Sequence, residues 1–346
     1  MSLTVQITNP LEHPDWNERL LGRGGCCFFH TANWVAALCN AYGFAPSYLS
    51  AETGDRWDGL LPLVEVQSFL TGRRGVSLPF TDSCPIIASD EEVKAALLKA
   101  AIELAERRHW RSVELRCGAR LPGDATPSLR YYEHRITLPP GSQQAFDLLK
   151  GPVRTAIRKA LRGEIAVEVG TDAPAVREFY RLNCLTRRNH GLPPQPYRFF
   201  MHLENRVLAA GLGSVAVARL RGQAVAAAVF LHFGDTAHFK YGASDPRFSE
   251  LRPNNIVMWE GIRWYIERGF RSLDLGRSNV EHEGLRRFKL GWGAEERELV
   301  YYKYDVRNHG FVQDTDAVSG WHNALFRRLP IPLARVFASW LYKHAA

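Results

Sequence analysis

Short apolar runs alternate with stretches of helical period along most of the chain. In the first half the runs predict strands over residues 4–8, 48–51, 59–66, 76–80, 112–117 and 132–138. Helices are predicted over residues 16–21, 34–42, 91–108 and 143–149. The third has the clearest signature. Ser89 and Glu92 form a capping box, and Val93, Leu97, Ala100 and Leu104 recur at helical spacing.

In the second half a basic helix over 153–161 leads to a strand at 165–169. The next helix has Asp172 as N-cap and Pro174 in its first turn. Strands follow at 215–220, 224–233 and 237–242. A helix over 254–268 carries an apolar stripe of Ile256, Trp259, Ile262 and Ile266, and Gly269 stops it. A strand at 272–275, a short helix near 284–290 and a strand at 298–304 complete the pattern. The tail reads as two helices, 321–329 and 333–343, broken by Pro330 and Pro332.

Two stretches echo each other. Arg108-His109-Trp110-Arg111-Ser112-Val113-Glu114-Leu115 resembles Arg268-Gly269-Phe270-Arg271-Ser272-Leu273-Asp274-Leu275. Upstream, the Gly59 run resembles the Gly222 run in the same order, each a turn glycine opening an apolar strand. Ordered echoes in matching contexts point to a duplicated domain. The 346 residues suit two domains. The expected division is 1–150, 151–310 and a helical tail over 311–346 that packs back on the first domain.

Composition narrows the class. Hydrophobic residues make up 46% of the chain, enough for two cores. The formal net charge of +8 suits an anionic partner such as phosphate, nucleic acid or a membrane surface, or a merely basic protein. Six cysteines form no C-x-x-C pair and have no histidine cluster beside them, so neither a metal site nor a disulfide framework is expected. No basic start precedes an apolar run at the N-terminus, and no apolar stretch is long enough to span a bilayer. A cytoplasmic protein is expected, peripheral on the inner face of the membrane if the tail lies on lipid. Leu333, Val336, Phe337, Trp340 and Leu341 form the tail's apolar face, with Arg327, Arg328, Arg335 and Lys343 beside it.

Three groups could carry chemistry. Arg154, Arg158 and Arg162 share one helix face, where like charges repel unless an anion or a solvated surface relieves them. The strand ending Leu273-Asp274-Leu275-Gly276-Arg277-Ser278 leads to a helix bearing Lys289, then to Trp292. Loops after strand ends are where sites sit in layered α/β folds. Lys289 is read either as a phosphate or oxyanion group or as a snorkelling surface lysine. The run Ala224-Val225-Ala226-Ala227-Ala228 is small for a strand and admits close approach by a ligand or a helix. Beside it stand His238, Lys240, Tyr241 and Ser244. No G-x-G-x-x-G, Walker loop, G-x-S-x-G or H-E-x-x-H occurs.

The order of these residues resembles a known family. Arg158 stands on a basic helix, then come Gly222-Gln223-Ala224, Tyr241-Gly242-Ala243-Ser244, Pro253-Asn254-Asn255 with Trp259, Leu273-Asp274-Leu275-Gly276-Arg277-Ser278, Gly284-Leu285, Phe288-Lys289 and Trp292-Gly293. The series resembles the FemABX-like branch of the GNAT acyltransferases, closest to FemAB-related proteins encoded with exopolysaccharide and exosortase systems. The resemblance implies an α/β (α+β) chain of two tandem GNAT-like domains, each a mixed, mostly antiparallel sheet flanked by helices. It implies transfer of an acyl or aminoacyl group to an amine on a cell-envelope or polysaccharide precursor, peptidoglycan in well-studied relatives. Lys289 then stands in the active cleft. Arg158, with Arg154, is the match to the group that holds acceptor phosphate.

Two departures matter for the donor. The inserted coiled-coil arm of tRNA-using members is absent, and so is the Q/R-x-x-G-x-G/A loop that holds coenzyme A pyrophosphate. Both a coenzyme A thioester and aminoacyl-tRNA stay open. The expected catalytic set is Lys289, Tyr241 and Asp274. The expected substrate set is Arg154, Arg158, Asn254, Arg277, Ser278 and Trp292, facing a phosphate-bearing or lipid-linked acceptor. Two alternatives stand beside it: a non-catalytic GNAT-like protein that binds a phosphate-bearing or lipid-linked sugar, and a nucleic-acid binder that takes tRNA.

Overall fold

The computed structural model describes residues 2–54, 56–69, 71–121, 125–314, 326–342 and 344. The chain divides into two compact units. The first comprises Met1–Tyr131, Glu298–Asp316 and Leu341–Ala346, and the second Tyr132–Arg297 and Ala317–Trp340. Their boundaries fall inside two strands, Leu129–Thr137 and Glu295–Asp305, rather than in a linker. Residues 132–150 group with the second unit because Ile136, Leu138, Ala145 and Leu149 belong to its hydrophobic core.

In the first unit four antiparallel strands run in the order Leu3–Thr8, Tyr48–Thr53, Arg56–Leu61, Ile87–Ala88. A second set pairs Ala45–Pro46 with Val64–Ser68, Gly72–Val76 and Ser112–Gly118, the last two in parallel. The run predicted as one strand over 59–66 is therefore two. Pro62 lacks an N–H and cannot continue a ladder. The Glu91–Arg107 helix packs Val93, Leu97, Ala101 and Leu104 into this core. Its cap is Asp90, whose carboxylate accepts from Val93 N at 2.9 Å, while Ser89 supports Asp90 instead of capping.

The second unit is built on Ile165–Gly170, Gly213–Leu220, Gln223–Phe233 and Thr236–Ser244, all antiparallel, followed by Ser272–Asn279 in parallel. Asp172 caps the Ala173–Asn189 helix as expected. The Gly151–Arg162 and Pro253–Glu267 helices share one core with Ala226, Ala228 and Phe230. The small strand residues admit a close helix: Gly261 lies where an added Cβ would sit 2.2 Å from the Phe230 ring.

The first echo corresponds to shared structure. His109 and Gly269 both adopt positive φ, +53° and +77°. Trp110 N and Phe270 N each reach back five residues, to Ala105 O and Tyr265 O. Each turn then feeds a strand that pairs in parallel, Ser112–Gly118 and Ser272–Asn279. The second echo does not correspond. Gly222 is a hairpin turn at φ +82°, whereas Gly59 lies within a strand against Val93. Gly54, at φ +61°, takes the turn position there.

The first predicted tail helix lies largely outside the described residues. The second runs Ile331–Leu341. Over Ile331–Trp340 it groups with the second unit and buries Ala334 and Ala338. The face expected to dock stays outside: Leu333 is 51%, Val336 68%, Phe337 53% and Trp340 55% exposed. Small alanines allow close helix packing, so they, and not the bulky face, make the contact.

Candidate active site

The centre of the second unit's sheet opens where two parallel strands part. Thr236, Ala237 and His238 pair with Ser272, Leu273 and Asp274, and the pairing stops there. Beyond it lie Phe239–Ser244 on one side and Leu275–Asn279 on the other. Gly276 bends its strand at φ +68°, a conformation that favours glycine. Asp274 Oδ1 accepts the Gly276 N–H at 2.6 Å and fixes that bend. Its other oxygen is 3.7 Å from His238 Nδ1.

Lys289 reaches the same bend from the Glu283–Gly291 helix. It is 6% exposed, and its ammonium donates to Gly276 O at 2.8 Å and Arg277 O at 2.9 Å. A buried ammonium requires such charge-assisted partners. Lys289 is therefore a buried charge and not a snorkelling one. Ser278 and Trp292 are 2% and 1% exposed, and among the described residues neither Ser278 Oγ nor Trp292 Nε1 finds a hydrogen-bond partner. Trp292, expected at the substrate, packs instead in the hydrophobic core with Val153 and Leu149. Arg277, half-buried, presents its carbonyl to Lys289.

Histidine 134 joins this cluster. It is fully buried, and its Nε2 lies 2.9 Å from Glu296 Oε2. Arg286 holds the same carboxylate through Nε at 2.9 Å and Nη2 at 2.7 Å, and its guanidinium lies over the Tyr132 ring. The Arg286 hydrogen bonds keep Glu296 below the usual carboxylate range. Burial, and then the Lys289 charge, push His134 below the usual imidazole range, so it is neutral at neutral pH. Glu133 is half-buried. Burial, and then the Asp274 charge, raise its pKa.

Sequence reasoning missed Glu133, His134, Arg286 and Glu296. One signal was available: Tyr132, His134, Ile136 and Leu138 share a strand face by alternation, and two of them are core residues. Glu133 and His134, consecutive in an extended strand, face opposite sides of the sheet. The expected catalytic set is thereby divided. Lys289 stands with His134 and Glu296, whereas Asp274 stands with Glu133 and His238.

Tyr241 reaches its place through a β-bulge. Val229 pairs with Tyr241 but Phe230 with Phe239, so Lys240 is an extra residue. The bulge turns Tyr241 to the face opposite Phe239, against Phe179, Phe199 and Phe200. Asn254, in the first turn of the Pro253–Glu267 helix, donates to Ser244 Oγ at 3.0 Å and ties that helix to the strand end.

The arginine stripe is placed less simply. Arg154 donates to Asp147 O at 3.0 Å and so caps the Ser142–Leu148 helix. Arg158 is exposed, with its guanidinium 5.4 Å from the Phe146 ring. The start of their helix meets the end of the Lys289 helix: Lys150 N donates to Gly291 O, and Gly291 packs on Val153. Among the described residues no cluster of three or more His, Cys, Asp or Glu is arranged to hold a metal.

Comparison with known proteins bears on the fold. Residues 150–304 match the family model described as an acetyltransferase (GNAT) domain. No curated protein matches the sequence. Among solved structures, FemX superimposes with a TM-score of 0.71 at 14% identity, over 88% of this chain and 97% of its own. A tandem GNAT protein from the clavulanic acid biosynthesis pathway gives 0.53 at 10% identity, over 88% and 99%. L-PGS from Bacillus licheniformis gives 0.52 at 11% identity, over 96% and 97%. At these identities the structures speak to fold. Residues 150–304 are thus similar to a GNAT acetyltransferase domain, and over most of its length the chain shares its fold with FemX and with a tandem GNAT protein.

Proposed function

We propose that the second unit moves an acyl or aminoacyl group from an activated donor, a coenzyme A thioester or an aminoacyl-tRNA, to an amine on a cell-envelope or polysaccharide precursor. One observation carries the reading. Two parallel strands part after His238 and Asp274, and a buried Lys289 stands clamped at the bend that parts them. Among the described residues the parted strands no longer pair with each other, and an extended donor chain can pair with the backbone groups that Asp274, Lys289 and Thr186 do not already hold. The likeness to FemX supports the aminoacyl form of the reaction and a cell-envelope acceptor.

In this reading the acceptor amine attacks the donor carbonyl, the carbonyl carbon becomes tetrahedral, and its oxygen gains negative charge. The fixed Lys289 charge stabilises that oxygen or a donor phosphate. The amine must lose a proton. Glu133, whose pKa is raised, faces the side of the sheet opposite His134 and Lys289, so the proton passes to solvent and not to that carboxyl. Asp274 is already committed to the Gly276 N–H and acts as a positioning group. Arg158 stands exposed to hold acceptor phosphate, as the resemblance implies.

The test is two-stage. Mass spectrometry of molecules retained through gentle purification identifies the donor class. Transfer to an amine acceptor is then measured with that donor. A retained coenzyme A species or aminoacyl-tRNA, with product formed, supports the reading. A retained sugar phosphate with no product under either donor replaces it with the non-catalytic binding alternative.

A further inference from the structure

A second feature of the same unit shares no lining residue with the Lys289 cluster. A cavity of about 460 Å³ lies along one face of the Ala173–Asn189 helix and is closed by Arg247 and by Ile331 and Arg335 of the tail helix. Arg177, Tyr180, Arg181 and Cys184 follow the i, i+3, i+4, i+7 spacing that defines that face. The wall is thus partly aromatic and aliphatic, with four guanidiniums around it.

Those charges are not fully compensated. Arg181 pairs with Glu178 at 3.0 Å, and Arg247 is held by the buried Asp245 at 2.7 Å. Among the described residues, Arg177 and Arg335 have no carboxylate partner within ion-pair distance. Arg335 rests over the Tyr180 ring at 5.2 Å. An adjoining cavity of about 520 Å³ shares Leu185 and Arg247 and adds Arg188 and Arg327. Such a collection of arginines beside apolar walls fits a phosphate attached to an apolar chain.

The tail supplies an independent observation. After Asp316 the chain has no acidic residue, but it has Arg327, Arg328, Arg335 and Lys343. The Ile331–Leu341 helix turns its alanines inward and leaves Leu333, Val336, Phe337 and Trp340 outside in one stripe. A helix docked for packing alone buries its bulky face. An exposed Phe–Trp stripe flanked by arginines is the pattern of a helix lying at a lipid–water interface. Arg335 belongs to both the helix and the cavity, so the two features form one surface.

We infer that this surface binds an anionic bilayer: the outward stripe of the tail helix enters the interface, and the arginine-lined cavity receives a lipid phosphate. Charge complementarity selects lipid over a protein partner, since a segment with four basic residues and no acid is drawn to an anionic leaflet. No helix among the described residues is long and apolar enough to cross a membrane, so contact is at the surface. The inference concerns binding and holds whether or not Lys289 takes part in transfer.

The test uses the full chain in flotation with two kinds of vesicle, phosphatidylcholine alone and phosphatidylcholine mixed with phosphatidylglycerol. Binding is expected to the mixed vesicles only, and to weaken as salt rises. The paired change Val336→Glu with Phe337→Glu is expected to lower that binding at least about tenfold. The paired change Arg177→Ala with Arg335→Ala is expected to remove most of the preference for phosphatidylglycerol. These tail and cavity-rim residues are separate from the core, and an unchanged thermal midpoint excludes misfolding as the cause of a loss. Inorganic pyrophosphate serves as the soluble probe. If pyrophosphate binds in a manner that Arg177→Ala with Arg335→Ala abolishes, while vesicles are not bound, the cavity takes a soluble phosphate and the lipid inference is overturned. Equal binding to both vesicle types, or tail variants that float as well as the parent, overturns it as well.

Discussion

Replacing Lys289 by methionine separates the clamp from the chemistry. Methionine keeps the apolar stem and removes the ammonium. Two hydrogen bonds of 2.8 and 2.9 Å are lost, and two carbonyls at the bend lose their donor. Hydrogen bonds to a charged group are worth about 1.5–3 kcal/mol each. Relief from burying an ammonium at 6% exposure offsets several kcal/mol of that. The net expectation is a loss of about 1–3 kcal/mol. Urea unfolding followed by fluorescence measures it, and a shift below about 0.5 kcal/mol would refute the clamp, since that is the range of ordinary surface substitutions. Transfer rate is compared at equal folded fraction. If the charge also stabilises the reacting oxygen, kcat falls a further ~100-fold. A stability loss with unchanged kcat would leave Lys289 a structural residue.

Three further outcomes follow from the same geometry. Gly276→Ala forces a side chain into positive φ and is expected to cost about 1–2 kcal/mol, read as a lower thermal midpoint; an unchanged midpoint would mean the bend is not fixed. Gly261→Ala gains up to about 1 kcal/mol of helix propensity but drives a Cβ into the Phe230 ring, so a net loss of about 1–3 kcal/mol is expected on chemical denaturation, and a net gain would contradict the packing. Burial keeps His134 and His232 below the ordinary imidazole range in the folded state. The unfolded chain therefore binds more protons as pH falls past about 6.5, and stability present above that value is lost on the way down through the folded pKa values. Unfolding free energy measured from pH 8 to 5 should decline, and His232→Asn should lessen the slope.

Much of the fold is legible in the chain because local physics writes it there. Asp172 caps its helix in the structure as the sequence indicates, and the shared turn before Ser112 and Ser272 is readable from residue types alone. Pro62, by contrast, divides a run whose apolar pattern is continuous, and the division depends on which of two ladders each half joins. The site was legible in part. Lys289 and the Asp274–Ser278 strand end stand out in the chain. His134 and Glu296 do not, since 162 residues separate them. Isolated polar residues carry no period or motif to link them.

What the sequence by itself determined is many of the elements, the one shared turn before Ser112 and Ser272, and the lysine at a strand end, because helical period, caps and turn residues act over a few positions. Tertiary structure alone decided the rest. One extra residue at Lys240 turns Tyr241 to the other face of the sheet, and the parting of two strands sets where Lys289 makes its bonds. It also put alanines inward and Phe337 and Trp340 outward on the tail, because which face of a helix is buried depends on how closely its neighbour can approach.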